Sequence, residues 1–227
     1  MTRLAIFDCD GTLVDSGGTI YAALKMSLEE HGRPVPPARE ARRVVGLSLV
    51  EAVEMLVPDA LKPELDAMAE TYRQAFHRLR LIGQVEEPLF EGIADLIDAL
   101  DADGWLLAVA TGKSDRGLRH CLESHGLQDR FVSLQTADRN PSKPHPAMAL
   151  AAMAEAGAVP ADTIFIGDTG WDMGCARAAG TGAIGVGWGY HDESELLAEG
   201  AHVVAQDPAD VLALAGQWRG GRFGDPV

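Results

Sequence analysis

Between residues 4 and 16 the chain reads LAIFDCDGTLVDS, an apolar run that ends in Asp8 and Asp10 and then meets Gly11. The period changes after it. Ile20, Leu24 and Leu28 recur at helical spacing, with Asp15 or Ser16 available as N-cap and Gly32 as the stop. A short helical piece follows Pro36-Pro37, and SLVEAVEML, residues 48 to 56, opens on a Ser-x-x-Glu capping box formed by Ser48 and Glu51. Leu65, Met68, Tyr72, Phe76 and Leu79 form one stripe, which predicts a helix from about Pro63 to Leu81.

A second pattern begins near residue 93, where helices alternate with continuous apolar strands. The strands are WLLAVAT (105 to 111), FVSLQTA (131 to 137), TIFIGD (163 to 168) and GAIGVGW (182 to 188); a weaker pair, AHVVA and PADVLALAG, precedes a loose tail, GGRFGDPV. Alternation of this kind implies a parallel sheet with helices on both faces, and unbroken apolar strands are what a doubly covered sheet requires. The fold class is therefore α/β, a doubly wound parallel sheet. Its core comprises residues 1–15 and 84–227, and residues 16–83 form a helical insert after the first strand.

Composition narrows the partners. The 227 residues carry a formal charge of -15, with no Lys/Arg-rich run to offset it, so nucleic acid and anionic membrane are excluded as expected partners. A phosphate ester is not, because a bound divalent cation supplies its own positive field. Cys9, Cys121 and Cys175 are scattered and lack metal-ligand spacing, which predicts reduced, buried thiols. With no signal-peptide core ahead of Asp8 and no membrane-length apolar stretch, the expectation is a cytoplasmic protein.

Open α/β sheets bind ligands at the carboxyl ends of their strands. Four strand ends here carry polar residues: Asp8 and Asp10; Thr111 with Gly112 and Lys113; Lys143 after a short loop; and Asp168. Asp8 and Asp10 share a side if the strand persists, which sends Cys9 into packing, and Gly11 offers a sharp turn with backbone N–H groups for an anion. In GDTGWD, Asp172 stands one turn into the helix after Asp168 and can face back toward it or serve only as a first-turn acid. Two carboxylates about 4 Å apart repel by about 4 kcal/mol at an effective dielectric of 20, so such a cluster needs a cation. Oxygen-only ligation beside a phosphate suits Mg²⁺ best. Pro144 holds Lys143 out of helical dihedrals at a helix start, and Lys113 is either a rival cation or a solvated side chain.

IFDCDGTLVDS, VATGKS, SKPHP and IGDTGWDM, in that order, closely resemble the four motifs of the haloacid dehalogenase-like (HAD) hydrolases. With its helical insert the chain is similar to the subgroup of phosphoglycolate phosphatase, β-phosphoglucomutase, phosphonatase and the dehalogenases. The resemblance implies a Rossmann-like core with a mobile α-helical cap domain. It also implies a Mg²⁺-dependent phosphatase for a small phosphorylated metabolite, phosphoglycolate being the single named candidate. Asp8 would be the nucleophile and Asp10 the acid and base; Gly11, Thr111, Gly112 and Lys143 would hold the phosphoryl group. Mg²⁺ would sit on Asp8, the main-chain carbonyl of Asp10, and Asp168, with Asp172 direct or through water. Dehalogenases lack the second aspartate and phosphonatase uses a cap lysine, so Asp10 favours phosphoryl transfer; Lys25 is read as solvated. In the cap, Arg42, Arg43 and Gly46 stand where a loop reaches substrate, while His77, Arg78 and Arg80 read as a solvated helix face. A sugar phosphomutase and a non-catalytic phospho-ligand-binding module remain as alternatives, and the oligomeric state is not read.

Overall fold

The computed structural model describes residues 2–219 and 222–223. Strand β1 (Arg3–Phe7) is followed by four helices, α1 (Gly17–Glu30), α2 (Ala38–Arg42), α3 (Leu49–Leu56) and α4 (Lys62–Leu81). The alternating part then runs α5 (Ile93–Ala102), β2 (Trp105–Thr111), α6 (Asp115–Ser124), β3 (Ser133–Thr136), α7 (Ala147–Ala156), β4 (Thr163–Gly167), α8 (Gly170–Ala179) and β5 (Gly182–Val186). It closes with α9 (Glu193–Ala198), β6 (Val203–Ala205), α10 (Pro208–Gln217) and two very short strands, β7 (Trp218–Arg219) and β8 (Arg222–Phe223). Helix α9 is an addition to the sequence reading; its signal was Asp192 followed three residues later by Glu195, whose side chain accepts from the Asp192 amide.

β1 lies in the middle of a six-stranded sheet of order β3-β2-β1-β4-β5-β6, and all its pairings are parallel. Successive connections run to one side of β1 and then cross to β4 on the other, which opens a crevice between the carboxyl ends of β1 and β4. Side chains alternate across the sheet. Ala5, Phe7 and Cys9 enter a core with α5, α6 and α10, while Leu4 and Ile6 enter the opposite core with α7 and α8. All three cysteines are buried and reduced, as the spacing implied.

The helices between β1 and α5 have apolar clusters of their own: Leu24, Leu28, Val53, Leu65 and Met68 form one, and Ala23, Ala75 and Leu79 another. Ser48 and Glu51 do not form the expected capping box. Glu51 takes the Ser48 hydroxyl, and the Ser48 amide donates instead to Ser142 Oγ at 2.8 Å, tying this region to the loop before Lys143. The expected loose tail is also corrected in part, because Phe223 packs at a tilt against Trp218 and His202 at centroid distances of 5.1 and 5.4 Å. Its remaining residues lie outside those described. Among the described residues no helix is long and apolar enough to cross a membrane.

Candidate active site

The β1 strand ends at Phe7, yet the Asp8 amide still donates to the Ile166 carbonyl at 2.9 Å, so Asp8 leaves the sheet from a fixed position. It is fully buried. Its Oδ1 accepts from the Cys9 amide at 2.7 Å and lies 3.0 Å from Lys143 Nζ, whereas its Oδ2 is buried without a hydrogen-bond partner. Asp168, at the end of β4, is also fully buried; its Oδ1 accepts from the Thr12 hydroxyl at 3.0 Å and its Oδ2 from the Tyr190 amide at 2.9 Å. One oxygen each from Asp8, Asp168 and Asp172 lies within 4.8 Å of the other two.

This crowding depends on a missing side chain. Gly11 has φ of +84°, as its expected turn requires, and a Cβ there would stand 2.2 Å from Asp168 Oδ2. Its amide, however, donates to the Val14 carbonyl at 2.9 Å, and the amides of Thr12 and Leu13 donate to the Cys9 carbonyl. The turn therefore uses the N–H groups that the sequence offered as an anion nest.

Asp172 serves both of the functions that its position allowed. Its Oδ2 accepts from the Thr169 amide at 3.0 Å and the Thr169 hydroxyl at 2.7 Å, which fixes the start of α8, and its Oδ1 meets Lys143 Nζ at 2.6 Å. Lys143, 1% exposed, thus bridges Asp8 and Asp172 and also donates to the Ala110 carbonyl at 3.3 Å.

The charges follow from burial. Desolvation pushes the Asp8 carboxyl up to about 7; Lys143 pulls it back, while Asp172 and Asp10 push it further. Burial also holds Asp168 well above the usual carboxylate range, with Asp172 and Asp8 adding to it. For Lys143 burial opposes the charged form, but Asp172 and Asp8 outweigh it and raise the ammonium pKa. Three acids against one ammonium, all donors oxygen and one buried oxygen unpartnered, fit a hard divalent cation.

Asp10 faces elsewhere. Its Oδ1 accepts from the Ser16 hydroxyl and lies 2.7 Å from Lys113 Nζ, which in turn lies 2.6 Å from Glu87 Oε1. Lys113 is therefore not solvated. Burial works against its charge, but Asp10 leads the groups that raise its pKa well above normal. Ser16, expected to be a possible cap, spends its hydroxyl on Asp10. Glu87 carried no local signal, since it comes from the irregular segment before α5 and meets Lys113 only in the folded chain. Thr12 had one, standing directly after Gly11 in the first motif.

Thr111 is fully buried at the end of β2, and its hydroxyl accepts from the Lys113 amide at 3.2 Å. A Cβ on Gly112 would meet the Leu47 carbonyl oxygen at 2.2 Å and that of Gly46 at 2.9 Å, so the segment before α3 lies directly on this strand end. Gly46, with φ of +95°, lines the cavity beside Asp10. The neighbouring arginines turn toward α9 and its approach: Arg43 pairs with Glu195 at 2.5 Å, and the Arg42 guanidinium sits 5.9 Å from the centre of the Tyr190 ring. Neither lines that cavity. Arg80 does, which corrects its reading as solvated, and so does exposed His77; Arg78 lies on the outer face near Glu30 at 3.8 Å. Lys25 pairs with Glu29 on an exposed face, as read.

A family model described as haloacid dehalogenase-like hydrolase matches residues 5–186. The chain is 35% identical over 217 residues to "Probable phosphatase IndB" of Dickeya dadantii, covering 95% of this chain and 94% of that one. It is 28% identical over 207 residues to a phosphoglycolate phosphatase of Xylella fastidiosa, covering 90% and 89%. The crystal structure of a hydrolase from Pseudomonas syringae matches with a TM-score of 0.83 at 28% identity, covering 96% of this chain and all of that one.

Proposed function

Because the chain belongs to the haloacid dehalogenase-like hydrolases, we propose that it is a Mg²⁺-dependent phosphatase acting on a small phosphorylated acid of the phosphoglycolate kind. The observation that carries this reading is Asp8 Oδ2, a buried carboxylate oxygen with no partner, beside an ammonium 3.0 Å from its twin. An oxygen left in that state fits a site completed by ligand. Asp8 attacks phosphorus, the ester P–O bond breaks, and an aspartyl-phosphate forms. Asp10 gives its proton to the departing oxygen and then takes one from the water that hydrolyses the intermediate. Asp10 stands apart from the Asp8 cluster, on Ser16 and Lys113, which leaves Asp8 and Asp10 free to take different parts.

Asp8 and Asp168, with the Asp10 main-chain carbonyl, would hold Mg²⁺, which supplies positive charge against the phosphoryl oxygens. Lys143 balances Asp8 and the phosphoryl group, while Thr111 and Gly112 position the phosphoryl oxygens. Both Asp172 oxygens are engaged by Lys143 and Thr169, which supports a water-mediated role toward the metal. Residues 16–83 act as a cap over the core of residues 1–15 and 84–227. Contacts of Gly46 and Leu47 with Gly112, and of Ser48 with Ser142, support closure of that cap on the phosphoryl site.

Phosphate release from glycolate and glucose phosphates with Mg²⁺, alongside trapping of the phosphoenzyme, tests the reading. Asp8→Asn should abolish both signals, and Asp10→Asn should slow formation and hydrolysis of the phosphoenzyme. Isomerisation of glucose phosphate without release would assign a mutase instead, and equal phosphoenzyme yields from the two variants would contradict the division of labour.

A further inference from the structure

Arg80 lines the cavity beside Asp10 and takes no part in the chemistry proposed for Asp8 and Asp10. Arg80, in the last turn of α4, has Nε and Nη2 buried and without hydrogen-bond partners. Its nearest acid is Glu87, but Oε2 of that residue is 3.7 Å from Nη2, beyond hydrogen-bond reach, and Oε1 is held by Lys113. Nε and Nη2 lie along one edge of the guanidinium, the fork that grips a carboxylate with two parallel hydrogen bonds. Buried donors in that state carry an unmet desolvation cost, which a bidentate anion would offset. Phe76, whose ring centre is 5.2 Å from the guanidinium carbon, fixes its plane.

The cavity that takes in Arg80 also takes in Asp10 and Gly112 and has a volume of about 410 Å³. Much of its wall is apolar, with Ile20, Leu24, Val44, Leu47, Tyr72 and Phe76 among the lining residues. Of its six charged residues four are cations (Arg73, Arg80, Lys113, Arg116) against Asp10 and Asp138, in a chain whose formal charge is -15. An electropositive, largely apolar chamber in an acidic protein selects a ligand with both an apolar body and a negative charge. Phosphoglycolate supplies the charge, but its single methylene would leave most of that wall against water.

We infer that the substrate is a phosphate monoester whose leaving group carries an apolar body ending in a carboxylate, and that Arg80 selects the carboxylate. This rests on the phosphatase reading and adds the class of leaving group to it.

Phosphate release by the full chain with Mg²⁺ is measured on phenyl phosphate, para-carboxymethylphenyl phosphate and phosphoglycolate. The carboxylated aryl ester should exceed both others in kcat/KM by about tenfold or more, as hydrogen bonds to a charged group allow. Arg80→Gln should narrow the ratio between the two aryl esters by about 10- to 100-fold, and Arg80→Lys, which keeps the charge but loses the fork, should narrow it less. Equal use of the two aryl esters by the parent protein, or preference for phosphoglycolate, would overturn the inference while leaving the phosphatase reading intact. An equal loss on both aryl esters in Arg80→Gln, with an unchanged urea midpoint, would overturn the role of Arg80. Release from none of the three esters, with release from glucose phosphate, would overturn the inference and leave the phosphatase reading; release from none of the four would overturn both.

Discussion

Replacing Lys143 with Met removes the ammonium that holds the Asp8 and Asp172 carboxylates together and leaves a side chain of similar length. The distances lost are 3.0 Å to Asp8 Oδ1, 2.6 Å to Asp172 Oδ1 and 3.3 Å to the Ala110 carbonyl, all in a site where Asp8, Asp168 and Asp172 are fully buried. Breaking a buried ion pair on one side costs about 3–5 kcal/mol, because the remaining charge has no compensation. For a chain of this size that corresponds to a fall in Tm of about 6–20 °C. Urea unfolding in EDTA should therefore show a lower midpoint with an unchanged slope. The loss should also depend on pH. Asp8 already titrates near 7 with the ammonium present, and without it the carboxyl takes up its proton more readily, so the penalty should be largest near pH 8 and shrink toward about pH 5.5. A loss below about 1 kcal/mol, or one equal at both pH values, would refute the argument that Lys143 is held by uncompensated carboxylates.

Gly112→Ala places a methyl 2.2 Å from the Leu47 carbonyl oxygen and should push the segment before α3 off the strand end; phosphate release should fall by about 10- to 100-fold while the urea midpoint changes little, and full activity would show that this contact is dispensable. Metal linkage gives another expectation. The Asp8 pKa is raised on folding from 3.8 to about 7, so the folded chain binds more protons across that window and this group withdraws stability as pH rises through it. Since Mg²⁺ requires ionised carboxylates, the rise in Tm produced by millimolar Mg²⁺ should grow from about pH 5.5 to about pH 8; an equal rise at both would place the metal away from Asp8.

Local pattern determined much of this protein. Continuous apolar strands alternating with helices specify a doubly covered parallel sheet, since backbone polar groups buried on both faces can be satisfied only by neighbouring strands. Period-two alternation put Cys9 into packing and Asp8 in the crevice but failed at Asp10, because β1 ends at Phe7 and Asp10 turns to Ser16 and Lys113. The spacing of one helical turn let Asp172 face Lys143. Motif residues were legible because each stands beside the strand end or turn that positions it. Tertiary structure decided what those residues meet. The Ser48 amide was lost to Ser142, 94 residues away, because a hydrogen bond once formed in the folded chain excludes the local alternative. Lys113, open between a site cation and a solvated side chain, and Arg80, read as solvated, both come against Glu87, which only the folded chain brings to them. Burial is a property of two surfaces at once, and a sequence displays them one at a time.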